Sequence, residues 1–117
     1  KRRIIAVFQP HLYTRTQAFF REFAYALGNA DVVIITDIYP AREKPIPGIT
    51  AELIYNECKN SGMDKCYFIP DLDNLVTELD QIVQPNDLIL TLGAGSIWRY
   101  SETYARHLEQ NVTEVKG

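Results

Sequence analysis

The chain is poor in the residues from which metal and covalent sites are usually built. It has two cysteines, Cys58 and Cys66, and two histidines, His11 and His107. A structural zinc site wants four ligands, so a resident metal is not expected. Two cysteines with no second pair read as buried thiols in a reducing cytoplasm. No apolar run approaches the ~18 residues of a membrane span, so no membrane is expected among its partners. Basic blocks are missing and the net charge is −3, which argues against non-specific nucleic-acid binding. Lys1-Arg2-Arg3 followed by Ile4 to Phe8 is too short, and lacks the small-residue site, to be a signal peptide. There is no Walker A loop, nucleophile elbow, HExxH or paired-carboxylate site, so no catalytic machinery of its own is evident.

What remains is ordinary material for one α/β domain. The length of 117 residues and apolar content of 46% suffice for a real core. Ile4–Phe8, Asp31–Asp37, Cys66–Ile69 and Asp87–Leu92 are continuous apolar runs, as expected of buried strands. Helical spacing links Phe20, Phe23, Ala24 and Leu27, then Ala51, Ile54, Tyr55 and Cys58, then Leu72 to Val83. A last helix is expected beyond Ser96, with Ile97, Tyr100, Tyr104 and Leu108 on one side. Thr14 to Gln17 fits a capping box, with Thr14 as N-cap, and Gly28 is expected to end that helix. The alternation of strand and helix predicts a Rossmann-like, mostly parallel sheet with helices on both faces. The strand order expected is 3-2-1-4, which puts a ligand crevice where strands 1 and 4 meet.

Two turns face that crevice, Gln9–Arg15 and Gly93–Ser96, with the long proline-rich loop 38–49 next door. Arg15 is expected at about the first position of its helix, where a cation is disfavoured by up to ~1 kcal/mol. A bound anion would offset this, and a carboxylate suits a guanidinium fork; an arginine turned to solvent is the other reading. His11 could bond a ligand carboxylate or hold a neighbouring loop. Tyr13 could line the pocket or pack. Ser96 is expected to cap the last helix with its hydroxyl near the crevice. Gly93 and Gly95 permit close backbone approach. Their spacing opens a dinucleotide fingerprint, but Trp98 stands where the third glycine belongs. Asp37, Tyr39, Arg42, Glu43 and Lys44 form a polar cluster, expected to be a surface loop with internal ion pairs.

Four segments together resemble a known family. They are Phe8-Gln9-Pro10-His11-Leu12-Tyr13-Thr14-Arg15-Thr16, Asp37-Ile38-Tyr39-Pro40-Ala41-Arg42-Glu43, Pro45-Ile46-Pro47-Gly48 and Gly93-Ala94-Gly95-Ser96-Ile97-Trp98. In order, over nearly the whole chain, they are similar to the C-terminal domain of the Mur ligases, in the branch that joins L-alanine to UDP-N-acetylmuramate. The resemblance implies a domain cut from a longer bacterial cytoplasmic enzyme of peptidoglycan biosynthesis. An N-terminal domain would bind the UDP-sugar. A central domain would bind ATP and Mg2+. This domain would present the amino acid to an acyl phosphate. It also implies that His11 and Arg15 hold the alanine carboxylate, with Tyr13, Tyr39, Gly93, Gly95 and Ser96 as further pocket positions. Many members carry a second arginine where this chain has Leu12. The reading set against it is a stand-alone Rossmann-like module binding a phosphate or nucleotide.

Overall fold

In the computed structural model, residues 2–93 are described. The order is β1 (Ile4–Phe8), α1 (Tyr13–Leu27), β2 (Val32–Ile35), α2 (Glu52–Asn60), β3 (Cys66–Phe68), a short 3-10 turn (Leu72–Asn74), α3 (Leu75–Ile82) and β4 (Leu88–Leu92). The four strands form one parallel sheet in the order β3-β2-β1-β4. This is the expected order, and the apolar runs have the expected cause: central strands buried on both faces need helices on both sides. The expected helix after Ser96 lies outside the described residues.

Alternation along the central strands divides the core. Ala6, Val33 and Ile35 face α1 and α2, where Ala24, Leu27, Ile54 and Cys58 are buried with them. Ile5, Val7, Val32 and Ile34 face the other way, onto Leu75 and Leu79 of α3. Cys58 and Cys66 are both buried free thiols.

Several boundaries differ from the sequence reading. β2 is shorter than Asp31–Asp37, running from Val32 to Ile35; past it Thr36 N–H still bonds Phe8, and Asp37 N–H turns to the Pro70 carbonyl. Gly28 does end α1, as expected, in a right-handed conformation. Its need for glycine is closeness: a Cβ there would lie 3.2 Å from the Tyr25 carbonyl oxygen. β4 is not fully buried. Ile89 packs on the α3 side, while Leu88, Leu90 and Leu92 remain exposed on the opposite face.

One polar cluster fixes the N-terminal edge of the sheet. Arg3 clamps the Asp87 carboxylate through Nε at 3.1 Å and Nη2 at 2.7 Å. Arg3 Nη2 also donates to the Ile82 carbonyl, and Gln84 N–H donates to Asp87. These bonds tie the start of β1 to the α3–β4 turn. The Asp87 side chain is only 4% exposed, and its carboxyl is held below the usual carboxylate range mainly by the bond from Arg3.

Candidate functional site

The site is built where β1 and β2 end. Their ladder stops at Phe8 and Ile35. Thr36 N–H still reaches the Phe8 carbonyl. Beyond that, the two chains rejoin in an isolated bridge between His11 and Tyr39. Tyr39 N–H donates to the Pro10 carbonyl at 2.8 Å, and Leu12 N–H donates to the Tyr39 carbonyl at 2.9 Å. The His11 and Tyr39 rings stack at 5.9 Å, 21° from parallel. The turn after β1 and the loop after β2 are thus one unit. On the other flank, Gln9 N–H donates to the Leu92 carbonyl, which sets Gly93 beside the same turn.

Helix α1 begins differently from the sequence reading. Its N-cap is Leu12, not Thr14, and Leu12 offers no side-chain cap. Arg15 is therefore the third helical residue rather than the first. The cap comes from far along the chain: Glu43 Oε1 accepts from Tyr13 N–H at 2.6 Å and from Thr14 N–H at 3.1 Å. The Thr14 hydroxyl donates to Glu43 Oε2 at 2.5 Å. A carboxylate on a helix N-terminus satisfies free N–H donors and the positive end of the dipole together. These bonds, the Thr14 hydroxyl foremost, hold the Glu43 carboxyl below its ordinary range, with His11 contributing charge. The expectation of internal ion pairs in this loop is corrected. Among the described residues neither Arg42 nor Lys44 forms one, and Glu43 serves as a helix cap.

Leu12 takes φ 73°, ψ 141°, a conformation rare for a side-chain-bearing residue, which costs of order 1–3 kcal/mol unless neighbours enforce it. Here they do. Its N–H is tied to Tyr39, and its carbonyl accepts both the N–H of Thr16 at 3.1 Å and the Thr16 hydroxyl at 2.9 Å. Thr16 is fully buried.

Arg15 is exposed, and its side chain has no hydrogen bond or ion pair among the described residues. The inference that its place in the first turn calls for a bound anion is corrected: Glu43 already supplies the negative charge there. What stands is an unpaired guanidinium in the same turn as His11. Tyr13 packs against the core beneath α1 and α2. A cleft of about 420 Å³ opens beyond the ends of β1, β2 and β3, with Gln9, Asp37, Tyr39 and Asp71 among its walls. Tyr39 lines it; His11 and Arg15 do not. Gly95 and Ser96 lie outside the described residues. Sequence reasoning missed Glu43, Leu12 and Thr16 as parts of the site. Only the acid in a long loop at a strand's C-terminal end gave a hint of the first.

Residues 1–95 match the family described as Mur ligase, glutamate ligase domain. Among curated proteins, the UDP-N-acetylmuramate–L-alanine ligase of Brachyspira hyodysenteriae is 49% identical over 108 residues, covering 92% of this chain and 23% of that protein. The ligase of the same name from Salinibacter ruber is 44% identical over 110 residues, covering 94% of this chain and 23% of that one. The crystal structure of the UDP-N-acetylmuramate-alanine ligase of Thermotoga maritima superposes with a TM-score of 0.72 at 24% identity, covering 96% of this chain and 21% of that chain. It supports the fold. The chain thus spans about a quarter of the length of the curated relatives it matches. On the strength of the match over residues 1–95, the chain belongs to the Mur ligase family, as its glutamate ligase domain.

Proposed function

We propose that this chain is the amino-acid-positioning domain of an ATP-dependent ligase that joins L-alanine to UDP-N-acetylmuramate in peptidoglycan biosynthesis. In that reading the longer protein carries a UDP-sugar domain and a central ATPase domain ahead of this one, and works in the bacterial cytoplasm. The central domain phosphorylates the sugar's lactyl carboxylate. The alanine amine then attacks the acyl phosphate and phosphate leaves. ATP and Mg2+ are assigned to that central domain, and no step is routed through them here.

Arg15 and His11 are assigned to the alanine carboxylate. Holding the acid end directs the amine toward the reacting carbon, and such orientation can be worth several kcal/mol of barrier, roughly 7 in favourable cases. Tyr39, stacked on His11, keeps that ring in place, and Gly93 borders the turn from β4. Gly95, Ser96 and Tyr13 are assigned supporting places around the pocket. The single observation that carries the reading is the exposed, unpaired Arg15 in the turn at the sheet's C-terminal edge.

The rival module, binding a phosphate on the first helix, meets a physical obstacle. In dinucleotide-binding folds that anion sits on the N-terminal N–H groups of the helix. Here the N–H groups of Tyr13 and Thr14 already serve Glu43.

The test is Arg15→Ala in the longer ligase. A charge-assisted bidentate contact contributes about 1.5–3 kcal/mol, so the Michaelis constant for L-alanine should rise roughly ten- to a hundredfold. The constants for ATP and UDP-N-acetylmuramate should stay near wild type. An unchanged alanine constant would sink the assignment.

A further inference from the structure

Glu43 does more than any local rule asks of a loop residue. Its one carboxylate takes three donors from the start of α1, Tyr13 N–H, Thr14 N–H and the Thr14 hydroxyl. The contact spans 30 residues of chain. Both ends are held in costly backbone. On the loop side, Glu43 N–H closes a turn on the Pro40 carbonyl, with Ala41 at φ 53°. On the helix side, Leu12 sits at φ 73°. Strained residues persist where surrounding contacts over-determine them, and they gather at sites whose geometry matters. Here Leu12 lies within the turn that carries His11 and Arg15, and Ala41 lies in the loop bonded to that turn.

We propose that Glu43 is a positioning residue for the amino-acid substrate, an inference that rests on the function proposed above. Its carboxylate fills the helix N-terminus, locks the loop after β2 onto the turn after β1, and fixes the launch point of the Arg15 side chain. The consequence for recognition is specific. The helix terminus is closed to the substrate's acid group and carries a negative charge that repels it. The substrate carboxylate must therefore be met by side chains, and the Arg15 guanidinium, which has no internal partner among the described residues, is the cation in the same turn as His11. Glu43 touches no reacting atom in this scheme and acts through His11 and Arg15.

The experiment compares Glu43→Ala and Glu43→Gln with wild type in the longer ligase, reading the constants for L-alanine and ATP, kcat and melting temperature. Glutamine keeps an acceptor for the Tyr13 and Thr14 N–H groups and gives up the charge. The expected result is a rise in the alanine constant of roughly tenfold or more for Glu43→Ala, since small misplacements of a binding group are costly. The ATP constant should not move, and Glu43→Gln should recover most of the loss. A lowered melting temperature with an unchanged alanine constant would make Glu43 a simple helix cap and overturn the inference. If Glu43→Ala fails to fold, Thr14→Val removes the hydroxyl donor at an exposed position. It should raise the alanine constant by a smaller factor, and no rise would again overturn the inference. Failure of the two proposals is distinguishable. Arg15→Ala without effect on alanine defeats the function proposed above. An effect of Arg15→Ala with none from Glu43→Ala defeats only the role of Glu43.

Discussion

Thr16 offers a clean test of how the site turn is held. Its side chain is fully buried, and its hydroxyl donates to the Leu12 carbonyl at 2.9 Å. The same carbonyl keeps the Thr16 N–H at 3.1 Å. Thr16→Val therefore removes one hydrogen bond without leaving the acceptor unpaired. The expected cost is about 1 kcal/mol, the net value of a neutral hydrogen bond, rather than the larger penalty of an orphaned buried group. Thr16→Ser keeps the hydroxyl and loses one buried methyl, about 0.8 kcal/mol plus a small cavity cost. Thr16→Ala loses both and should cost about 2 kcal/mol on the same reasoning. Urea unfolding resolves the series, since 1 kcal/mol moves the midpoint by roughly 0.5 M at ordinary slopes. If Thr16→Val is as stable as wild type while Thr16→Ser is not, the residue acts by packing alone. The account of Leu12 as a strained residue held partly through its carbonyl would then be refuted.

Other consequences are equally concrete. The folded-state pKa of Asp87 lies below its ordinary value of 3.8. The unfolded chain thus takes up protons first, and the stability this group contributes is present above that value and lost as pH falls through the folded-state one. The stability gap between wild type and Asp87→Asn should accordingly be widest near neutrality and narrow as pH falls below 3.8 in pH-resolved denaturation. A gap independent of pH would mean that the ion pair with Arg3 contributes nothing. At Ala41, with φ 53°, a β-branched residue is poorly tolerated, so Ala41→Val should destabilise by about 1–2 kcal/mol. Ala41→Gly should cost nothing by the same thermal melt, and equal effects would show that the backbone there relaxes.

The sheet was legible because its signal is repetitive. Ile4–Phe8 and Val32–Ile35 are uninterrupted apolar runs, and only a strand covered on both faces wants such a run. Handedness then left few orders, and β3-β2-β1-β4 was among them. The start of α1 was misread for an instructive reason. Thr14 and Gln17 satisfy the local capping pattern, yet the cap is Glu43, and no local window contains both. The same contact undid the inference from helix polarity to a bound anion, because the chain itself supplies the charge. Family likeness singled out Arg15 and His11, and the structure shows them in one turn, with His11 stacked on Tyr39. The strain at Leu12 was invisible, since leucine gives no sign of positive φ. The leucines of β4 look like core in sequence and are exposed because no described helix packs on that face of the strand.

The most direct measurement is a crystal structure of the longer ligase with L-alanine and a non-hydrolysable ATP analogue bound. The account predicts two guanidinium nitrogens of Arg15 at about 2.7–2.9 Å from the alanine carboxylate oxygens, with Glu43 still seated on Tyr13 and Thr14. An alanine carboxylate held by groups from other domains, with Arg15 pointing into solvent, would contradict it.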